Sequence, residues 1–519
     1  MKPALFKWIN PAIWVLILLV YITSSCSSNR LKTDEKKLVN QILSEEEQLA
    51  RQEAKRAERE RQLADSLALL PKGFRFNEQR GADPLQPPVV IDIAGSLENI
   101  SDLKLSDVAS DIQYIRLEPV PDTTLPRNLR YKHYFMDNYL VALNIYGIHL
   151  FNKEGKFIRS VVKNQMTGVD FDEKNNRLKF WNDYTLIGGG TAVWARGNSL
   201  FYGFSNNITG QRSLIEYDCS KEQLLPEIGF NPENPGKITG LGEVIMDLNH
   251  GKTTPPPPRT HQGMFSMDPE FMYSGMGAFS PDRNTYISSL SGKNMLGVMG
   301  KNGDTLAIFT KYEQLKNYTK SLKRGTDFGT RYEKGGNYYF RSNFNDTVFQ
   351  VIPPNRLLPL YVLNLGKYKV SIQEGVDPDV KLVGKIIPQN WAETKNYIFL
   401  TFTKDNYDCT NNRKNKSVKI FHALFSKSKK MLQIVKSDPF DYEAPILMND
   451  LDGGYPVWPL SYQTAANGEI LISLKGKELL NHTHSALFKN SAVPDIKKEK
   501  LKQFANSLKE EDDILMIVK

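Results

Sequence analysis

Short β-rich runs separated by tight turns recur along most of this chain, and they restrict its fold more than any other feature. From Val89 onward, runs of alternating or wholly apolar residues are punctuated by turn signals such as residues 153–155 and Asn302-Gly303. The runs collect into six groups of mostly three or four strands, at 139–162, 191–225, 278–310, 337–370, 385–436 and 458–476. The pattern indicates repeated antiparallel sheets and argues against an α/β fold, which needs helices between its strands.

The spacing of these groups predicts how the sheets pack. Group starts lie roughly 50 to 85 residues apart, which is typical of propeller blades, where each sheet buries its faces only against its neighbours. We therefore predict an all-β fold, a six-bladed β-propeller over residues 89–519. The last residues are helix-like from Asp495 to about Asp513, and 514–518 form a final strand. We expect this strand to join the blade that starts or ends the ring.

The first 25 residues are predicted to be a lipoprotein signal peptide. Lys2 and Lys7 precede an apolar core at Ile13–Ile22, which is too short to span a bilayer and suits a signal peptide. Residues 23–25 are small, as a lipoprotein signal peptidase requires, although they form a looser version of the usual pattern before Cys26. The alternative interpretation is an uncleaved membrane anchor.

A lipid on Cys26 predicts the location of the chain. A diacyl or triacyl group buries enough methylene groups for stable attachment to a membrane. Ser27, rather than Asp, follows the cysteine, and by resemblance to bacterial sorting rules this points to the outer membrane. Whether the protein faces the periplasm or the cell surface stays open.

Residues 26–71 are predicted to form a lipid-anchored helical tether, and residues 72–88 an extended linker. The stretch from Glu45 to Leu70 contains no Gly or Pro and is rich in Ala, Glu, Arg, Gln and Leu, which are strong helix formers. Arg56 interrupts its seven-residue apolar spacing, so a single charged helix is favoured over a coiled coil.

Charge and cysteine content limit the classes of partner and of covalent cross-link that the chain can have. The formal net charge is +9, but the basic runs are not interleaved with stacking aromatic residues, so we predict solvated surface and no nucleic-acid partner. Weak attraction to an anionic membrane or polymer is the alternative. The chain has three cysteines. Besides Cys26, we expect Cys219 and Cys409 to be buried free thiols, because 190 positions separate them.

One segment resembles the start of a calcium loop. Asp450 and Asp452 are two positions apart and are followed by two glycines. Met448 and Pro459 occupy positions where the full pattern requires carboxylates. The alternative is a turn in which the aspartates accept hydrogen bonds from local amides. No cofactor is predicted apart from this calcium candidate.

Four residues are candidates for ligand contacts. Tyr455 and Trp458 could form an aromatic platform near a channel mouth, and Arg341 and Asn343 could point polar groups into the channel. The alternative for the aromatic pair is core packing, which propellers also require. The alternative for the polar pair is that both satisfy loop carbonyls.

Two further features of the sequence have both a functional and a structural interpretation. His482 and His484 would share one face of a strand, where they form an incomplete metal site or an exposed pair. The stretch 231–263 is predicted to be a long irregular loop, with an exposed polyproline segment at Pro255–Pro258. Such a loop on a rigid scaffold is usually functional or disordered.

The chain lacks the common catalytic motifs. We find no Gly-x-Ser-x-Gly elbow, phosphate loop, HExxH or paired nucleophile and base. This favours a binding or scaffold protein that presents a rigid face to a peptide, a glycan or an envelope protein. The alternative is a propeller hydrolase or lyase with a metal in its central channel.

Several motifs resemble one family. The leader and Cys26, the strand region 105–118, RSNFNDTVFQV at 341–351, NDLDGGYPVWP at 449–459 and the closing ILMIVK resemble the six-bladed β-propeller lipoproteins of Bacteroidales. The charged helix running into residues 71–93 is similar to one subgroup of them. The resemblance implies a propeller fold and an envelope location, and it implies no particular activity.

Overall fold

A computed structural model of the chain shows two compact units, Met1–Leu70 and Pro71–Lys519. The residues it describes are 47, 50–51, 53–71, 73–121, 132–136, 138–144, 147–163, 166–172, 177–182, 184–186, 193–206, 212–220, 243–247, 273–279, 281–290, 294–300, 304–312, 329–377, 380–405, 419–440, 446–460, 463–465 and 467–519. Cys26, Cys409 and Pro255–Pro258 lie outside these residues, so the predictions made for them stay predictions.

The first unit contains one described helix, α1, at residues 53–68. Its surface carries side-chain pairs four positions apart, such as the ion pair of Arg56 with Glu60 at 3.0 Å. Gln62 likewise donates to Glu58 at 2.9 Å, and such pairs stabilise an exposed helix. Among the described residues, no helix has both the length and the apolar composition needed to cross a membrane.

The second unit is mostly β. Its strands are β1 Gln79–Arg80, β2 Val89–Asp92, β3 Ile100–Ser101, β4 Ile112–Leu117, β5 Lys132–Phe135, β6 Leu140–Asn144, β7 Gly147–Phe151, β8 Phe157–Lys163, β9 Met166–Asp172, β10 Arg177–Asn182, β11 Tyr184–Leu186, β12 Val193–Arg196, β13 Ser199–Asn206, β14 Arg212–Asp218, β15 Glu243–Asp247, β16 Tyr273–Phe279, β17 Thr285–Leu290, β18 Asn294–Gly300, β19 Thr305–Thr310, β20 Thr330–Lys334, β21 Asn337–Arg341, β22 Thr347–Ile352, β23 Arg356–Asn364, β24 Ile386–Glu393, β25 Tyr397–Lys404, β26 Lys419–Ser426, β27 Met431–Val435, β28 Ile470–Lys475 and β29 Asp513–Val518. Its α-helices are α2 Ile93–Ser96, α3 Ile372–Val376, α4 Gly476–His484, α5 Ala486–Lys489 and α6 Asp495–Asn506, and short 3₁₀ turns lie at Leu105–Asp107 and Gly366–Tyr368.

The strands form several small sheets, as the sequence predicts. Four consecutive strands pair in order in β5–β8, β16–β19, β20–β23 and β24–β27. A further sheet runs β11-β13-β14-β15 with β12 also paired to β13, and β9 and β10 form a separate hairpin. Strand β15 corrects the prediction of an irregular stretch at 231–263, because Glu243–Asp247 pairs antiparallel with β14.

The two ends of the second unit meet in one sheet. Strand β29 lies between β28 and β4 and pairs antiparallel with both. Its residues 514–518 are all buried, which a strand enclosed on both edges and both faces requires. The predicted final strand is therefore confirmed. It lies in one sheet with β28, from the last sequence group, and with β4.

The segment before β4 adds parallel strands to two sheet edges. Strands β1 and β2 both pair in parallel with β23, and β3 pairs in parallel with β27. Residues 72–88, predicted as an extended linker, are thus held to the sheets where they are described. The backbone N–H of Phe76, for example, donates to the Leu306 carbonyl at 2.8 Å.

Each larger sheet packs against the next one along the chain. Buried residues of β6 and β7 form one core cluster with β13, and residues of β29 form another with β6 and β7. A further cluster joins β20 and β22 to β24–β27, and another joins β25 and β26 to β29. The sheet of β16–β19 contacts both of its neighbours through Phe279. The Phe279 ring lies 4.9 Å from that of Trp194 in β12 and 5.3 Å from that of Tyr338 in β21.

The turn at 153–155 shows why a predicted turn residue is needed. Gly155 has φ +86°, a conformation that side chains disfavour, and a Cβ there would lie 2.2 Å from the Arg116 carbonyl oxygen. Asn152 supports the turn, because its side-chain oxygen accepts from the N–H groups of Glu154 and Lys156. Glycine therefore lets β7 and β8 turn close against β4.

Candidate functional site

A cavity of about 560 Å³ lies where the loop between β21 and β22 meets the end of β19, strand β23 and the segment before β2. Its walls combine aromatic, charged and small polar side chains, including Arg80, Lys311, Tyr312, Ser342, Asn343, Phe344, Asn345, Asp346, Thr347, Phe349 and Lys369. A concave site of this size with a few convergent polar groups is typical of small-ligand binding.

Arg341 supports the loop that forms one wall. Its guanidinium, buried at the end of β21, donates to Thr330 Oγ1 at 3.3 Å, to the Asn345 carbonyl at 3.2 Å and to the Pro388 carbonyl at 3.1 Å. These contacts join the loop to two neighbouring strands. The geometry favours the alternative interpretation of Arg341, in which it satisfies loop carbonyls.

The loop itself places Asn343 in the cavity wall. Asn343 is buried and lines the cavity, as does its neighbour Phe344, which has a positive φ of 60°. The Phe344 ring packs so closely on α3 that a Cβ at Gly375 would lie 2.5 Å from it. Asn345 closes the loop, because its side-chain oxygen accepts from the N–H of Thr347 at 2.8 Å.

An aromatic and cationic wall faces this loop. The Tyr312 ring is 50% exposed and stacks on Phe349 with centroids 5.7 Å apart. The guanidinium carbon of Arg80 lies 4.2 Å from the Tyr312 centroid, which is within the range of a cation–π interaction. Arg80 also forms an ion pair with Glu78 at 2.9 Å and donates to the Thr310 carbonyl.

Two lysines add positive charge to the walls. Lys369 forms an ion pair with Asp346 at 2.7 Å, and its side chain is about half exposed. Lys311 is buried beside Tyr312. Of the described lining residues, three are cations and one, Asp346, is a carboxylate.

Tyr455 and Trp458 lie elsewhere and pack against the core between β25, β26 and β29. The Trp458 indole N–H donates to Thr401 Oγ1 at 2.9 Å, and its ring contacts Phe399 edge-on. The Tyr455 ring lies 5.1 Å from that of His482. These contacts favour the core-packing interpretation of both aromatic residues.

The two aspartates of the calcium candidate accept hydrogen bonds from protein donors. Asp450 accepts from the backbone N–H and the hydroxyl of Ser106, at 2.9 and 2.6 Å. Asp452 accepts from the Asn449 amide at 2.7 Å and the Gly454 N–H at 2.8 Å, and burial raises its pKa above the ordinary value. This geometry supports the turn interpretation. Within the described residues, no group of three or more His, Cys, Asp or Glu side chains could hold a metal ion.

The prediction that His482 and His484 share a face of a strand is wrong. Both lie in helix α4, where residues two positions apart point in different directions. His482 is buried and its Nε2 lies 2.9 Å from the Gly453 carbonyl, whereas His484 is exposed. The segment is helical because it contains good helix formers and because Glu478 accepts from the N–H of Lys475, which caps the first turn.

Cys219 is a buried free thiol, as predicted. Burial raises its pKa to about 12, so the reactive thiolate is scarce at neutral pH. Its sulfur lies in the core cluster shared by β6, β7 and β13, which is the environment of a structural cysteine.

The predicted contact residue Asn343 lies in the cavity wall, whereas Arg80 and Tyr312 were not predicted from the sequence. These two residues are 232 positions apart, and neither belongs to a motif. The only local signal was the charged and proline-containing composition of residues 74–88, which predicts an extended segment but not where it docks.

No curated protein matches this chain. Its fold is similar to that of a protein described as exported from Bacteroides fragilis (12% identity, 83% of this chain and 99% of the other, TM-score 0.47). It is also similar to a DUF4221 family member from Bacteroides vulgatus (10%, 79% and 97%, 0.37) and to the Neurospora crassa Pan2 WD40 domain (8%, 64% and 72%, 0.24).

One family match covers most of the second unit. The DUF4933 family, a domain of unknown function, matches residues 71–485. This range contains every wall of the cavity and all of the candidate contacts discussed above except the anchor Cys26. The chain therefore belongs to the DUF4933 family.

Proposed function

We propose that this protein is an exported, lipid-anchored binding protein of the cell envelope. Its second unit is a closed six-bladed β-propeller that binds a polar ligand in the cavity beside Tyr312. The ligand is a small molecule or the exposed end of a peptide, a glycan or an envelope protein. The lipid on Cys26 holds the propeller at the outer membrane.

The observation that carries this function is the composition of the cavity walls. A half-exposed tyrosine, three cations and several small polar side chains converge on about 560 Å³. The loop that carries Ser342 and Asn343 is held by the buried Arg341, so the site is organised before a ligand arrives. Preorganisation of this kind lowers the entropic cost of binding.

The order of sheet contacts supports a closed propeller. Core clusters and ring contacts link each of the six larger sheets to the next, and the sheet that contains β29 packs against the sheet of β5–β8. A ring of sheets needs such a contact between its last and first members. Pairing of β4 with β29 brings strands from both ends of the second unit into one sheet, which supports closure of the ring.

A ligand screen on the purified second unit, residues 71–519, tests the proposal. Neutral and acidic oligosaccharides and short peptides would be screened by thermal shift, and hits would be measured by calorimetry. We expect Tyr312→Ala to weaken binding of a hit about tenfold or more, since stacked and cation–π contacts of the ring contribute on this scale. Tyr368→Ala is the matched control, a partly buried tyrosine of the same region outside the cavity. No hit, or equal loss in both variants, would refute binding at this cavity.

A further inference from the structure

The cavity carries an excess of positive charge that comes from separate parts of the chain. Lys311 follows β19, Lys369 follows β23, and Arg80 belongs to the segment that docks against their sheets. Asp346 is the carboxylate among the described lining residues, and Glu78 forms an ion pair with Arg80. Among the residues that the structure describes, cations therefore exceed carboxylates even when Glu78 is included.

Arg80 is held in place by contacts that leave one donor unused. One terminal nitrogen donates to Glu78 and Thr310, and the guanidinium lies over the Tyr312 ring. The Nε of Arg80 is buried and has no hydrogen-bond partner among the described residues. The contacts to Glu78, Thr310 and Tyr312 therefore hold a guanidinium in the cavity wall, where its charge attracts an anion.

Lys369 is placed to assist the same ligand. Its ammonium group is about half exposed, and its contact with Asp346 is a surface ion pair. Surface pairs of this kind contribute little free energy. The ammonium can therefore turn from Asp346 towards an anion in the cavity at small cost.

We propose that the ligand of this cavity carries an oxyanion, either a carboxylate or a phosphate, and that the Arg80 guanidinium binds it. This inference rests on the proposed function, because it names the chemical class of ligand for the same site. The guanidinium suits both groups, since its fork of donors matches the geometry of carboxylates and phosphates.

Three probes that share one ring distinguish the sources of the oxyanion. D-Glucose is neutral, D-glucuronate carries a carboxylate and D-glucose 6-phosphate carries a phosphate. Calorimetry and thermal shift at up to about 10 mM detect the weak binding expected of single sugars. We expect at least one acidic probe to bind about tenfold or more tightly than glucose, a ratio typical of charge-assisted hydrogen bonds. The tighter acidic probe identifies the group.

Two matched substitutions in one segment test the role of Arg80. Arg80→Gln and Arg75→Gln remove the same charge, but Arg75 is exposed and outside the cavity. We expect Arg80→Gln to weaken binding of the acidic probe about tenfold and Arg75→Gln to leave it unchanged. Arg80→Lys keeps the charge but loses the planar guanidinium, so its binding of the acidic probe should also be weaker than that of the wild type.

The melting temperature of each variant checks that it is folded. If Arg80→Gln does not fold, Lys369→Gln is the second variant, and it should weaken the acidic probe by a smaller factor. Equal weakening by Arg75→Gln would indicate diffuse surface attraction and would overturn the inference. So would binding of glucose as tight as that of both acidic probes, or no binding of either acidic probe. If a neutral ligand from the wider screen binds and its binding depends on Tyr312, the proposed function stands although the inference of an oxyanion is refuted.

Discussion

Glu393, at the end of β24, is a buried charge with several hydrogen-bond partners. Its carboxylate accepts from Lys334 at 2.7 Å, from Lys427 at 2.6 Å and from the Tyr332 hydroxyl at 2.6 Å. Burial alone would raise the pKa of Glu393, but the two lysines outweigh it and hold the pKa below the ordinary value. Burial also lowers the pKa of Lys427 to about 8. One carboxylate thus joins β20, β24 and the end of β26.

We expect Glu393→Gln to lower the free energy of unfolding by about 3 kcal/mol, because two partly buried ammonium groups would lose their counter-charge. Urea denaturation followed by circular dichroism measures the change. Glu98→Gln is the matched control, since Glu98 is exposed, and it should change the free energy by less than about 0.5 kcal/mol. Equal stability of Glu393→Gln and the wild type would show that the network contributes nothing.

His422 makes the free energy of unfolding depend on pH. It lies on β26 with its ring 5.0 Å from that of Trp458, and its Nδ1 has no hydrogen-bond partner among the described residues. Burial lowers its pKa from 6.5 to about 4. Between these values the unfolded chain binds a proton that the folded chain excludes, so stability is present above pH 6.5 and is lost as the pH falls towards 4.

We therefore expect His422 to lower the free energy of unfolding of the wild type by up to about 1.4 kcal/mol for each pH unit of acidification across this window. Burial also lowers the pKa of His133, to about 3, so His133 adds a loss of the same sign. His422→Leu should reduce the slope, whereas His484→Leu, at an exposed histidine, should not. Urea unfolding at pH 7.5 and 5 measures both. An unchanged slope in His422→Leu would contradict the assignment.

At the scale of elements, β29 connects the two ends of the second unit by pairing with β28 and β4. Leu515 is fully buried in the cluster that joins β29 to β6 and β7. We expect Leu515→Ala to lower the free energy of unfolding by about 3 kcal/mol, through lost transfer energy and a residual cavity. Leu85→Ala, at a leucine that is 90% exposed, should have almost no effect. The two values come from the same urea titration, and similar values would argue against a closing role for β29.

The turn at Asn449–Gly454 holds the 3₁₀ turn Leu105–Asp107. Asp450→Ala removes both bonds to Ser106, and we expect a loss of about 1 kcal/mol that is equal with calcium and with chelator. Asp102→Ala is the control, because Asp102 is exposed. A loss seen only in the presence of calcium would instead support the metal interpretation.

Elements were predictable where their signals are local. The alternation in β4 and the glycine at position 155 depend on neighbours a few positions away, and both were found from the sequence. The strand predicted for His482 and His484 is wrong because a helix capped at Lys475 already runs through both histidines. Asp450 and Asp452 were ambiguous because a turn and a calcium loop use the same residue types.

At the scale of the whole molecule, the lipid anchor makes a separate prediction. If Cys26 carries the lipid, Cys26→Ser should abolish labelling by radioactive palmitate and should shift the protein out of the membrane fraction, because no acyl chain remains to insert. Cys219→Ser is the control, since that thiol is buried in the second unit. Labelling that persists in Cys26→Ser would refute the anchor.

The sequence by itself determined the β class of the second unit, its division into strand groups and the final strand, because periodicity and turn residues act over a few positions. Only the tertiary structure decided which distant side chains meet. Arg80 reaches Tyr312 because β1 pairs with β23, and Glu393 meets Lys334 because two sheets pack face to face. Such contacts depend on how sheets are paired and stacked, and side-chain patterns along one strand carry no information about that choice.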